Sequence, residues 1–140
     1  MVNKEALYNF RFIILIISLV AIDLVSKSFA INNLSLGESS TTLLPFIDIL
    51  LIYNSGIAFG IFNNSGMLAS NILLLVTLII LCYLIWMIIY EPQKNKKYSL
   101  SIITAGALGN IIDRVIDGQV TDFLHLEILN FSFFIFNFAD

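Results

Sequence analysis

ILLLVTLIILCYLIWMIIY, residues 72–90, carries no formal charge. A helix rises ~1.5 Å per residue, so a run of this length matches the ~30 Å of hydrocarbon in a bilayer. Pro92 follows at once and stops the helix. The stretch therefore reads as a membrane span. Composition agrees: 59% of the 140 residues are hydrophobic and only 12% are charged, against about 25% charged in a soluble domain. Twelve Phe suit lipid-facing or interfacial positions. A net charge of −3 argues against nucleic-acid binding, which needs a basic face. The length suggests one domain.

Two further spans flank the central one. The first covers about residues 10–30; from Phe12 on it is apolar except where Ser18, Asp23 and Ser26-Lys27-Ser28 interrupt it. Ser28-Phe29-Ala30 weakly resembles a signal-peptide cleavage site, but charges inside the segment and further spans downstream favour a retained helix. The third covers about residues 98–114, where Gly106 and Gly109 permit close approach of another segment. Lys4 and Arg11 precede the first span, and Lys94, Lys96 and Lys97 fill the loop 91–97. The positive-inside rule puts both regions in the cytoplasm. Residues 32–66 and 115–140 then lie on the other side. The first of these is punctuated by turn signals at Asn32-Asn33, Gly37, Pro45, Asn54-Ser55-Gly56 and Asn63-Asn64-Ser65-Gly66, with β-formers between, and predicts a small extracytoplasmic sheet between the first two helices. The fold class is an α-helical integral membrane protein with three transmembrane helices and that sheet.

The polar residues gather on one side of this layout. Asp23, Lys27, Asn54, Asn110, Asp113, Arg114, Asp122, Asn137 and Asp140 are scattered in sequence, yet the topology brings all of them to the outer interface. Polar groups near hydrocarbon are expensive and need partners, so one shared layer is a physical solution. Asp23 and Lys27 stand four apart, an acid before a base, and suit a helix-stabilising pair. Asp122 and Asp140 each lie among aromatic and aliphatic neighbours. Desolvation raises a carboxyl's pKa, and two such groups placed together share a proton. One then acts as base and the other as acid, which activates water without a metal. Embedded carboxylates also serve proton-coupled transporters, although those acids belong near the bilayer midplane. A non-catalytic scaffold leaves the asparagines unexplained. No cofactor is called for. One cysteine, Cys82, and one histidine, His125, make a zinc site a poor expectation. Cys82 reads as a small buried hydrophobe and His125 as an interfacial polar residue.

Five motifs in order resemble the signal peptidase II family of lipoprotein signal peptidases, which are aspartyl membrane proteases. They are Asp23-Leu24-Val25-Ser26-Lys27, Asn54-Ser55-Gly56-Ile57-Ala58-Phe59-Gly60, Gly106-Ala107-Leu108-Gly109-Asn110-Ile111-Ile112-Asp113-Arg114, Val120-Thr121-Asp122-Phe123 and Phe136-Asn137-Phe138-Ala139-Asp140. The resemblance implies that Asp122 and Asp140 are the catalytic pair. It implies that Asn54, Asn110, Arg114 and Asn137 bind substrate or position the pair, and that Asp23, Lys27, Gly56 and Asp113 support the layer. The implied substrate is a prolipoprotein whose cysteine already carries diacylglycerol, cleaved just before that cysteine. The implied setting is the bacterial cytoplasmic (inner) membrane, with a monomeric enzyme among membrane lipids, its N-terminus cytoplasmic and its site extracytoplasmic. Family members continue past the second aspartate into a fourth helix, whereas Asp140 is the last residue here. The expectation is a truncated chain, poorly stable and inactive, with an active longer parent.

Overall fold

The computed structural model describes residues 4–42, 45–55, 66–129 and 131–140. Three helices dominate: α1 (Lys4–Asn33), α2 (Gly66–Tyr90) and α3 (Lys94–Asp117). Each is long and apolar enough to cross a membrane, over Phe10–Asn33, Ser70–Tyr90 and Lys94–Asp117. Their relative directions follow from side-chain contacts. Phe12 meets the Tyr98 ring at 4.8 Å, and Lys27 reaches Asn110 at 3.0 Å, so α1 and α3 run parallel. The Ser70 hydroxyl donates to the Gly118 carbonyl at 2.5 Å, so α2 begins where α3 ends and runs antiparallel to it. This is the up-down-up arrangement of three crossings.

Large apolar side chains face outward along all three helices, among them Ile17, Val25, Ile72, Ile79, Trp86 and Ile102. Water would not tolerate this much continuous apolar surface, and lipid covers it without cost. The chain is a multi-pass membrane protein. Cys82, expected to be buried, is exposed on α2. Only one side of α2 packs on α3, through residues such as Leu81 and Leu84, and the rest of its circumference is open.

The basic loop read at 91–97 narrows to 91–93, because α3 starts at Lys94. Its lysines lie in the first helical turn. The Lys94 ammonium lies 5.8 Å from the Tyr98 ring centre and the Lys97 ammonium 5.5 Å from that of Phe12, so aromatic faces receive both charges. At the far end, Gly118 takes a left-handed conformation (φ 71°) and donates its N–H to the Arg114 carbonyl at 3.0 Å. This ends α3 and turns the chain into a strand two residues later.

The sheet has four antiparallel strands in the order β1 (Ser39–Ser40), β2 (Ile47–Asn54), β3 (Val120–Ile128) and β4 (Phe131–Phe136). Half of it therefore comes from after α3, not from between α1 and α2 alone. Val120, Thr121, Asp122 and Phe123 are all buried. Buried Thr121 and Asp122 interrupt the start of β3, so the period-two pattern is clear only over Leu124–Ile128. A core of Ala30, Leu51 and Phe123, with Leu34 and Leu124 against it, seats the sheet on the end of α1.

Candidate active site

Lys27 is the root of the polar layer. It extends from α1, its side chain 3% exposed, and its ammonium pairs with Asp23 at 2.7 Å and with Asp113 of α3 at 3.1 Å. It also donates to Asn110 Oδ1 at 3.0 Å. Asp113 accepts the Thr121 backbone N–H at 3.0 Å, which fixes the start of β3. One ion cluster thus sets the positions of α1, α3 and β3. The sequence pairs Lys27 with Asp23 alone, and the cross-helix acid Asp113 doubles that compensation.

Asp122 follows directly on β3. It is 3% exposed, and both its carboxylate oxygens accept amide protons: Oδ2 from Asn54 at 2.9 Å and Oδ1 from Asn137 at 2.6 Å. Burial pushes its carboxyl above the ordinary aspartate range. The two amide bonds pull it down, and neighbouring Asp140 pushes it up again.

Asn137 is the hub. Its side-chain amide also donates to Asn110 Oδ1 at 3.2 Å, its Oδ1 accepts the Ala139 N–H at 2.8 Å, and its backbone N–H donates to Asp140 Oδ2 at 3.2 Å. Asp140 is exposed, and its Oδ1 accepts from Asn110 at 2.8 Å. The two aspartates are therefore bridged twice by amides, once through Asn137 directly and once through Asn110 and Asn137 in series. Arg114 donates to the Asn110 carbonyl at 3.4 Å and lies within electrostatic reach of Asp122, Asp140 and Asp113. Its buried Nε has no partner among the described residues.

The close approach at Gly106 and Gly109 serves the terminal turn. A methyl group at Gly106 would collide with the Ala139 carbonyl, and one at Gly109 with the Asp23 carboxylate and the Ala139 side chain. These glycines let the segment bearing Asn137 and Asp140 lie flat on α3. Gly56, expected to support the layer, falls outside the described residues. The other nine predicted site residues converge on this one end of the helices. The backbone donors of Thr121 and Ala139 carry no sequence signal.

Two cavities open at this end of the helices. One, about 590 Å³, opens between the helices and is lined by Asn110, Arg114 and Asp140 along with apolar side chains of α2 and α3. The other, about 670 Å³, is almost wholly apolar and includes Val25, Phe29, Phe123 and Phe138. They share Ile22 and Phe138. The arrangement sets two amide-bridged carboxyl groups beside a cleft of mixed lining and an apolar groove.

The model of the family Signal peptidase (SPase) II matches residues 15–140. A lipoprotein signal peptidase of Thermodesulfovibrio yellowstonii is 39% identical over 122 residues, covering 87% of this chain and 79% of its own. One from Pelagibacter ubique is 36% identical, covering 99% and 84%. One from Rickettsia conorii is 35% identical over 90% of this chain, which spans only 63% of that relative's length. A bacterial membrane enzyme solved by the in meso method at 1.9 Å resolution superposes with a TM-score of 0.77 at 34% identity, covering 92% of this chain and 82% of that one. None of these similarities supports a transporter, and with motifs, fold and family model in agreement, the chain belongs to the signal peptidase II family.

Proposed function

We propose that the protein is a lipoprotein signal peptidase, an aspartic endopeptidase that cuts diacylglyceryl-modified prolipoproteins just before the lipidated cysteine. The observation that carries this reading is the amide bridge from buried Asp122 through Asn137 to Asp140. The ionised carboxylate draws a proton from water as the water attacks the scissile carbonyl, and the protonated partner delivers one to the leaving amide nitrogen. Burial biases Asp122 toward holding the proton. Arg114 and Asn110 line the same cavity as Asp140, where the peptide backbone would lie. The apolar groove beside it suits acyl chains and the signal helix. The basic residues Arg11, Lys94, Lys96 and Lys97 sit at the opposite end, which argues for a cytoplasmic N-terminus and an extracytoplasmic site in the bacterial inner membrane. We take the working unit to be a monomer needing no cofactor or metal for catalysis.

The direct test supplies the reconstituted protein, carried on through the fourth helix that the family resemblance implies, with one precursor in two forms. The diacylglyceryl form should be cut before its cysteine and the unlipidated form left whole. Equal cleavage of both would remove lipoprotein specificity, and cleavage of neither would remove the activity.

Two variants probe the geometry. Asn54 donates to the Asp122 carboxylate and so favours its ionised form. Asn54→Ala removes that bond, so the Asp122 carboxyl rises further. The alkaline limb of kcat/KM against pH, where the catalytic acid loses its proton, should move upward. An unmoved or lowered limb would dissociate Asn54 from the titration. Gly106→Ala drives a methyl against the Ala139 carbonyl and lifts the terminal turn. A misplacement of about 1 Å costs on the order of 10²-fold in rate, so turnover should fall by that much with helix content by circular dichroism unchanged.

A further inference from the structure

We propose that Asp48, His125 and Glu127 form a binding site for one divalent transition-metal ion, with zinc the best match. The site lies on the sheet, away from the Asp122–Asp140 pair. The β2–β3 register sets Asp48 opposite His125. Glu127 is two residues beyond His125 on β3, on the same face by strand alternation. One ligand atom from each residue lies within 4.8 Å of the others. His125 Nδ1 stands 3.8 Å from Glu127 Oε2. Zinc bonds of ~2.1 Å in tetrahedral geometry separate neighbouring ligands by roughly 3.4 Å, so modest side-chain movement closes the set.

The histidine supplies an independent observation. Its side chain is 7% exposed, and its Nδ1 is buried with no hydrogen-bond partner among the described residues. Its Nε2 lies 2.7 Å from the Ser132 hydroxyl. When Nε2–H donates to that hydroxyl, Nδ1 presents a bare lone pair toward two carboxylates. A lone pair facing anions is repelled, and a buried polar atom without a partner is costly. A cation between the three groups removes both penalties, and Ser132 then fixes the ring as an outer-shell partner does. The donor set selects the metal: imidazole nitrogen with two carboxylates fits zinc and its neighbours better than calcium or magnesium, which take all-oxygen shells. Glu127, 35% exposed, leaves an entry path. Sequence reasoning discounted zinc for want of a second histidine or a cysteine partner; the sheet supplies carboxylates instead. A bound ion would staple β2 to β3 three residues from Asp122.

The test titrates purified, chelator-stripped protein in detergent with zinc chloride, followed by calorimetry and thermal unfolding, with magnesium and calcium chloride as parallel arms. One zinc per chain should bind at micromolar affinity or tighter and raise Tm, with neither hard cation doing so. Asp48→Asn and Glu127→Gln, which keep side-chain shape, should each weaken zinc binding at least about tenfold, and His125→Gln should abolish it. Asp122→Asn should leave it unchanged, which separates this site from the catalytic pair. Absence of a one-to-one zinc isotherm, or affinity indifferent to both carboxamide variants, would overturn the proposal. Equal binding of magnesium would overturn the assigned metal class.

Discussion

Asp122→Asn and Asp140→Asn should each lower cleavage of a diacylglyceryl precursor by about 10²- to 10⁴-fold, because an amide neither accepts nor delivers the proton the reaction needs. The two variants differ in what else they disturb. At position 122 both oxygens accept amide protons, from Asn54 and Asn137. Asn137 cannot simply turn over, since its own oxygen holds the Ala139 N–H. The new amide must therefore set its NH2 against Asn54, which has to rotate. At position 140 the exposed side chain has room to adjust while Asn110 and the Asn137 N–H keep one acceptor between them. Asp122→Asn should thus cost some stability as well as rate, and Asp140→Asn almost only rate. The double variant should be no slower than the worse single one, as for groups acting as a unit. A single variant retaining a tenth of wild-type kcat/KM would exclude the pair as the catalytic machinery.

The second large effect concerns the fold. Lys27→Met keeps the side-chain length and removes the charge, leaving Asp23 and Asp113, 2% and 8% exposed, without their shared cation. Breaking a buried ion pair by deleting one partner costs about 3–5 kcal/mol. Here one deletion strips two acids and also the donor to Asn110. The expected result is a loss of that size in reversible denaturation, with the site disordered in the survivors, because Asp113 no longer sets the start of β3. Adding Asp23→Asn to Lys27→Met should recover part of the loss. A stability change under about 1 kcal/mol for Lys27→Met would mean that water reaches the cluster and screens it.

The helices were legible because hydrocarbon imposes a length and a composition on whatever crosses it. Residues 72–90 meet both without exception. The polar layer was legible for a related reason: charge in an apolar chain demands a partner, and topology left one place for all of them. What stayed hidden was the local backbone. β3 alternates only over Leu124–Ile128, and its first half, with Thr121 and Asp122 buried side by side between Val120 and Phe123, breaks the pattern where the site begins. Asn137 reads in sequence as one polar residue among several, but its central position depends on a four-residue turn against Gly106 and Gly109, a contact that no spacing encodes. The Asp48–His125 neighbourhood depends on a register between strands from opposite ends of the chain.

The ion pair inside α1 has a further consequence for how the protein is made. Synthesis begins at the N-terminus, so α1 reaches the bilayer before Asn110 and Asp113 have been translated. Lys27 then has Asp23, one helical turn back on the same segment, as its counter-ion. The helix can wait in lipid with Lys27 already matched by Asp23. The docking of α3 then brings Asp113 and a second negative charge to the same lysine. Assembly of this end of the helices is thereby tied to the arrival of α3.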